Sequence, residues 1–428
     1  MSEQRSHSQS RPLLETSLLV DDALNLDGIC EEEKAGATAF QTGLNMLNEL
    51  EGAGLLGMPF VILLGGWASL PLLAFVGLLA GFTGWCLAAC MYDPNGRRAR
   101  ESYAELGGAC YGNAGARAVL WVQMINLCSV GVVYLVLIAS CMHGLWPLVR
   151  QSDYPGIPSA DHRLYTLIAT ACVLPTVHIG GYRKLSVLSL LGVICLMAVF
   201  GLGVGYSIDE IVGKHGGALA PLPATKLKSL PAAFSMLLFA FSAHGIFPGL
   251  EASMQRPERF PTVVSFVFAT NIIVKVVFGL ACFYAFGAAT EPVVSNNLPP
   301  VPQIVVSVLI VANTFFSFAL PLVPVFRHLG CDHGSQQFSR CTRFFMRSGV
   351  VLGCGAVGLL LPSFDLAMGI MGSLTLPFLT FIFPAMFYRK LHGGKQLGGS
   401  IAAVIVVTVG AMGLVTGLAS NIDRAVHA

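Results

Sequence analysis

The sequence predicts an all-α membrane protein of eleven transmembrane helices, on three observations. The chain of 428 residues is 54% hydrophobic and only 11% charged, with mean hydropathy +0.71, a balance that supplies successive apolar runs of bilayer-spanning length. Eleven such runs, bounded by polar or Gly/Pro clusters, cover residues 41–67, 69–92, 117–146, 163–180, 185–206, 229–256, 262–288, 301–329, 343–362, 364–388 and 398–420. The first and the sixth are interrupted near their middles.

Residues 1–38 precede the first run. They are polar, carry Glu31-Glu32-Glu33 and lack an apolar core, so they read as a disordered cytosolic tail and not as a signal peptide. Within the tail, Leu13-Leu14 has the form of a dileucine read by a sorting adaptor; two leucines adjacent by chance is the equal alternative. The remainder, 39–428, reads as one transmembrane domain.

The first apolar run is broken by Glu51-Gly52-Ala53-Gly54-Leu55-Leu56-Gly57-Met58-Pro59. Non-helical backbone at bilayer depth persists only where it lines a cavity or meets a ligand, which makes the break a candidate binding site. The sixth run is split by Ser242-Ala243-His244-Gly245, ahead of Pro248-Gly249-Leu250-Glu251. One glycine break in a membrane helix is more commonly a close-packing device. Two breaks five spans apart form the pattern of a five-plus-five inverted repeat, 41–206 and 229–388, with 398–420 as an additional helix. In that arrangement the broken helices meet near the bilayer midplane, as in a secondary transporter.

An odd number of spans puts the termini on opposite sides. With the N-terminus cytosolic, 18 of the 25 Lys and Arg fall in cytosolic segments and 6 on the other side, Lys275 lying within a span; the positive-inside rule favours that orientation. A net charge of +2 without a basic block argues against a nucleic-acid partner and leaves membrane lipid as the surroundings. The 12 cysteines show neither metal-ligand spacing nor a disulfide framework, and no metal or cofactor is expected.

Asn45 to Gly52, Leu56-Gly57-Met58-Pro59-Phe60 and Gly65-Gly66-Trp67 resemble the first helix of the amino acid/auxin permease family. Val173-Leu174-Pro175, Leu185 to Ser189, Phe247-Pro248 with Glu251, Met254 to Pro257 and Asn297-Leu298-Pro299 follow in the family's order. The likeness is greatest to the vesicular inhibitory amino acid transporter and vacuolar amino acid transporter branch. The chain departs from that branch at Glu51 and Asn126, where the branch carries glutamine and an acidic residue. The resemblance implies a leucine-transporter-type fold, transport of small neutral amino acids, and a vesicle, vacuole or lysosome membrane whose proton gradient drives the movement.

An amino acid brings a carboxylate and an ammonium. Free N–H groups near Leu55, Leu56 and Gly57 would suit the carboxylate. Carbonyls near Gly52 and at Ser242 and Ala243 would suit the ammonium. Gly52, Gly54 and Gly57 would let the backbone approach the ligand, and His244 and Gly245 in the second break complete the candidate substrate site. Following the family's architecture, cavity walls come from Gln123, Asn126 and Tyr134 on the third run and from Asn313, Thr314 and Ser317 on the eighth; such residues are as often plain interhelical hydrogen-bonders.

Glu51, His244, Glu251 and Lys275 are the ionisable groups deepest in the apolar runs, where each charge needs compensation. Glu51, at the partially negative end of a half-helix, is disfavoured as a carboxylate and is the candidate proton carrier. His244 is the second candidate, since histidine titrates near the working pH of an acidic organelle; a satisfied core histidine is the commoner case. Glu251 and Lys275 are expected to pair as a gate or structural latch. Sodium coupling through first-break carbonyls and Thr314, or an accompanying chloride, stays open. The expected function is alternating-access carriage and not enzymatic chemistry. An amino acid sensor at the lysosomal membrane with little flux is the alternative, although a tail of about forty residues and short loops offer little for partners.

Overall fold

Proline and glycine positions decide where the helices of this chain start, bend and stop. The computed structural model describes residues 36–427 apart from 94, 148–158, 180–181, 214–218, 220, 332–337 and 394–396, and gives only the backbone at 182–189, 397–402 and 427. The expected tail through residue 35, with Leu13 and Leu14, lies outside the described residues.

The order of helices is α1 (Ala39–Leu56), α2 (Met58–Gly65), α3 (Ser69–Cys90), α4 (Tyr103–Leu145), α5 (Ala160–Val173), α6 (Tyr182–Gly213), α7 (Leu230–Ala240), α8 (Phe247–Ala252), α9 (Phe260–Phe286), α10 (Pro300–Ser317), α11 (Val323–His328), α12 (Arg340–Gly358), α13 (Phe364–Leu374), a π-helical segment Pro377–Ile382, α14 (Phe383–His392) and α15 (Leu397–His427). Helical segments therefore fall on every one of the eleven apolar runs. Among the described residues, seven stretches are long and apolar enough to cross a membrane, or eight if Phe364–Leu374 and Pro377–His392, bent by 43°, are one span. The others fall short for local reasons. α1 carries Asn45, Asn48, Glu49 and Glu51, α12 carries Arg340, Arg343 and Arg347, and α5 has only 14 residues.

Local chemistry sets the ends. Thr38 caps α1 through a reciprocal pair: its hydroxyl accepts from the Gln41 N–H at 3.2 Å and its own N–H donates to the Gln41 side chain at 3.0 Å, two free donors satisfied at once. Just before it, Ala37 forms a parallel bridge with the segment after α8, its N–H donating to the Ser253 carbonyl at 2.7 Å and its carbonyl accepting from Gln255 at 2.9 Å. α4 begins earlier than the run at 117–146, with Ser102 as its cap. It kinks at Tyr111 and at Gly112, whose φ of 65° only glycine adopts freely.

The molecule is inverted relative to a water-soluble protein. Phe75, Phe82, Trp85, Ile194, Phe266, Ile273, Leu352 and Met412 are exposed, while Asn48, Thr83, His244, Glu251, Asn271, Lys275 and Ser307 are buried. Apolar groups facing outward and polar groups facing the bundle interior are what a lipid solvent demands. α1 sits at the centre, packed on α9, α6, α7, α10 and α4, and buries Asn48 and Glu51 among them.

Candidate binding site

α1 crosses α7 where Gly54 meets Ala240. A Cβ at position 54 would lie 3.0 Å from the Ala240 Cα, so glycine here sets how closely the two helices approach. The expected unwinding of residues 52–57 is corrected: α1 is helical through Leu56, and only Gly57 (φ −83°, ψ −6°) interrupts it. Pro59 explains the position, because it has no N–H for the Leu55 carbonyl and its ring crowds that oxygen. Leu55 and Leu56 thus offer no free N–H pair. Gly52 and Gly57 also serve packing, the Cβ of either falling 3.4 Å from the Tyr134 hydroxyl or 3.1 Å from Met368 Sδ.

The second interruption is unwound in full. α7 stops at Ala240, Phe241 (φ −109°, ψ 18°) and Ala243 (φ −134°, ψ 5°) leave the helix, and a 3₁₀ turn at His244–Ile246 leads into α8. Pro248 at the start of α8 acts on His244 as Pro59 acts on Leu55. The Gly245 carbonyl, with no helical partner, accepts from Gln123 Nε2 at 2.6 Å.

A third interruption, absent from the sequence expectations, lies between Leu374 and Pro377. Thr375, between α13 and the π-helical segment, accepts from Asn126 Nδ2 at 3.2 Å, and Thr380 reaches the Ser242 hydroxyl at 3.4 Å. Its signal was Thr375-Leu376-Pro377, a proline inside an apolar run. The second and third interruptions therefore converge, tied together from α4 by Gln123 and Asn126, whereas the first, at Gly57, packs on Met368 and Met236.

Two spaces open there. One is a cavity lined by Glu49, Leu50, Ala53, Val130, Tyr134, Phe239, Ser242 and Leu376. Its volume, measured by the centre of a water-sized sphere, is about 10 Å³, room for about one water. The other is a vestibule of about 340 Å³ that runs from Glu101, Arg327 and His328 to Gln123 and Gly245. Ser242 and Tyr134 line the cavity, and Gln123 and Gly245 line the vestibule. Asn126 bridges toward the third interruption. Thr314 lines neither; its hydroxyl donates to the Ile310 carbonyl at 2.8 Å. Asn313 instead donates to Asn48 at 2.9 Å and to the Gly192 carbonyl at 2.8 Å, and Asn48 donates to Ser317 at 2.8 Å.

The ionisable groups are paired differently from expectation. Lys275 does not meet Glu251. Its ammonium lies 2.9 Å from Glu51 Oε2 and donates to the Leu50 carbonyl at 3.0 Å, with both side chains buried. Glu251 is contacted by Arg98 Nε at 2.8 Å, as an ion pair and not an aligned hydrogen bond, and accepts from the Tyr92 hydroxyl. The reason is position along α9. Lys275 is fifteen residues from the helix start at Phe260, roughly 22 Å along the axis, whereas Glu251 lies beside that end. His244 is enclosed, its Nε2 3.1 Å from the Ala80 carbonyl and 3.2 Å from the Thr83 hydroxyl, its ring stacked on Phe247. Glu49, absent from the sequence candidates, faces the small cavity and has an enclosed Oε2 without a hydrogen-bond partner.

Comparison with known proteins follows the same lines. The model of a family described as transmembrane amino acid transporter protein matches residues 35–422. The chain is 27% identical over 418 residues to the vesicular inhibitory amino acid transporter of Homo sapiens, covering 92% of this chain and 78% of that one. It is 28% identical over 382 residues to amino acid transporter AVT1D of Arabidopsis thaliana, covering 88% and 68%. Among solved structures, MhsT in complex with L-phenylalanine is similar, with a TM-score of 0.55 at 14% identity over 90% of this chain and 99% of that one. That likeness establishes a shared leucine-transporter-type fold.

Proposed function

Because the chain belongs to the transmembrane amino acid transporter family, a family of carriers and not of enzymes, we propose that it is a secondary active transporter of small neutral amino acids. It works by alternating access in a vesicle, vacuole or lysosome membrane, coupled to protons. One observation carries the reading. A vestibule of about 340 Å³ reaches the unwound backbone at Gly245, and a cavity of about 10 Å³ lies beside the same interruption. The first is large enough to admit a small amino acid; the second holds none until the surrounding helices move. Access from one end with closure beyond it is one half of an alternating cycle.

The proposal takes the eleven helical runs as eleven spans in two inverted sets of five, 41–206 and 229–388, with 398–420 added and the N-terminus cytosolic. The vestibule then opens to the cytosol, on the side of Arg97, Arg98 and Arg100. Vesicular relatives support the organelle membrane.

The coupling groups read from the sequence stand apart from the cavity. Glu51 is held by Lys275, and His244 by the backbone of α3. Their proposed part is to fix α1 and the second interruption, while coupling belongs to a group that faces the cavity. Protons are favoured over sodium because the Lys275 ammonium already occupies the Leu50 carbonyl of α1, and a second cation there would meet a like charge.

The test is uptake of labelled glycine, 4-aminobutyrate and alanine into proteoliposomes with an imposed pH gradient. Saturable uptake that collapses with the gradient is expected. Binding without uptake would make the chain a sensor, and uptake driven by a sodium gradient alone would overturn proton coupling.

A further inference from the structure

Among the described residues, Glu49 is an acid without a counter-ion. The side chain is half-buried, but its Oε2 is sealed from solvent and has no hydrogen-bond partner, and the cavity it faces is otherwise apolar except for Tyr134 and Ser242. Two residues along α1 is about 200° around the helix, so the Glu51–Lys275 pair lies on a different face. Among the described residues packed on α1, Tyr134 lines the cavity beside Glu49, and the Lys275 ammonium that α9 brings to α1 is taken by Glu51 and the Leu50 carbonyl. An ionised carboxylate in such surroundings requires a positive partner or a proton.

Resting on the transport reading, we infer that Glu49 is the point at which the substrate's ammonium and a proton exclude each other. Without substrate, the carboxyl carries the proton. When an amino acid enters from the vestibule and the cavity widens, its ammonium takes the carboxylate and the proton leaves by the vestibule: the Glu49 carboxylic acid and the ammonium give a carboxylate–ammonium pair and one released proton. The hydroxyls of Tyr134 and Ser242 donate to the substrate carboxylate. One carboxylate serving both cations makes the movement an exchange, amino acid one way and proton the other, and needs no second ion site. The substrate class follows: small amino acids with a free ammonium, whereas N-acetylglycine, which lacks the cation, is rejected.

The test uses the purified full chain with glycine and 4-aminobutyrate as probes. Calorimetry in buffers of different ionisation enthalpy should show up to one proton released per substrate bound. Affinity should weaken about tenfold per pH unit once the carboxyl is protonated. In Glu49→Gln, proton release and the pH slope disappear and proteoliposomes lose uphill accumulation, whereas Glu49→Asp keeps the pH slope. A Glu49→Gln protein that retains proton release or gradient-driven accumulation overturns the inference. If that variant does not fold, wild-type protein binding substrate between pH 5 and 7.5 without releasing a proton overturns it equally. Absence of amino acid flux in the wild type would instead sink the transport reading.

Discussion

The Lys275 ammonium lies 2.9 Å from Glu51 Oε2 and 3.0 Å from the Leu50 carbonyl oxygen, and it also stands 5.4 Å from the Phe241 ring. One side chain on α9 thus reaches the last two turns of α1 and the first residue of the unwound segment after α7. Removing a single member leaves a buried charge without compensation, at a cost of about 3–5 kcal/mol. Lys275→Met and Glu51→Gln should each lower the melting temperature in detergent sharply, and the double variant should recover much of the loss. Additive losses in the double variant would show that the two groups do not act as a pair.

Gly54 makes a second, independent prediction. A Cβ there meets Ala240 at 3.0 Å from Cα and 3.3 Å from Cβ, and both atoms belong to rigid positions on a crossing helix. Gly54→Ala should destabilise by about 1–3 kcal/mol and slow transport, because the crossing must open by a few tenths of an ångström. Gly205→Ala on α6, with nothing within 4 Å, should be neutral or stabilising by up to about 1 kcal/mol. Thermal unfolding and uptake rate of the two variants measure the contrast.

At the second interruption, Gln123 stands in for a helical donor. Its amide satisfies the Gly245 carbonyl at 2.6 Å, and truncation to alanine leaves that oxygen unpaired at a cost of about 1–3 kcal/mol. Gln123→Ala should raise hydrogen exchange across His244–Phe247 and reduce the uptake rate. Unaltered exchange there would mean that Gln123 does not hold the unwound segment.

These contacts mark what was legible in the sequence. The apolar runs and the second break were, because hydropathy and the Ser242-Ala243-His244-Gly245 cluster are local properties. The first break was less so: glycines at 52, 54 and 57 signal close approach as readily as unwinding, and which of the two holds depends on Ala240, Met368 and Tyr134, all distant in sequence. The Glu251–Lys275 pairing failed for a related reason. Burial depth told that each needed a partner, but Arg98 and Tyr92 reach Glu251 only through the fold of the loop after α3. Glu49 has no local signal, since its neighbour Glu51 occupies the glycine-rich motif and the cavity that singles out Glu49 is formed by four helical runs.

The loop after α3 carries the last prediction. Arg98 contacts Glu251 and also donates to the Pro248 carbonyl at 3.2 Å, so it fastens α8 at the mouth of the vestibule. The segment after α8 is in turn bridged to Ala37. With Arg98 about a quarter exposed, its removal costs less than that of a fully enclosed partner, about 1–3 kcal/mol. Arg98→Ala should loosen both attachments, raising hydrogen exchange across Phe247–Gln255 and in Ala37–Gln41 while leaving α13 protected. Arg98→Lys should restore part of the protection, since a lysine keeps the charge but not the two-way reach of the guanidinium. Loss of protection confined to the loop itself would show that Arg98 does not hold α8.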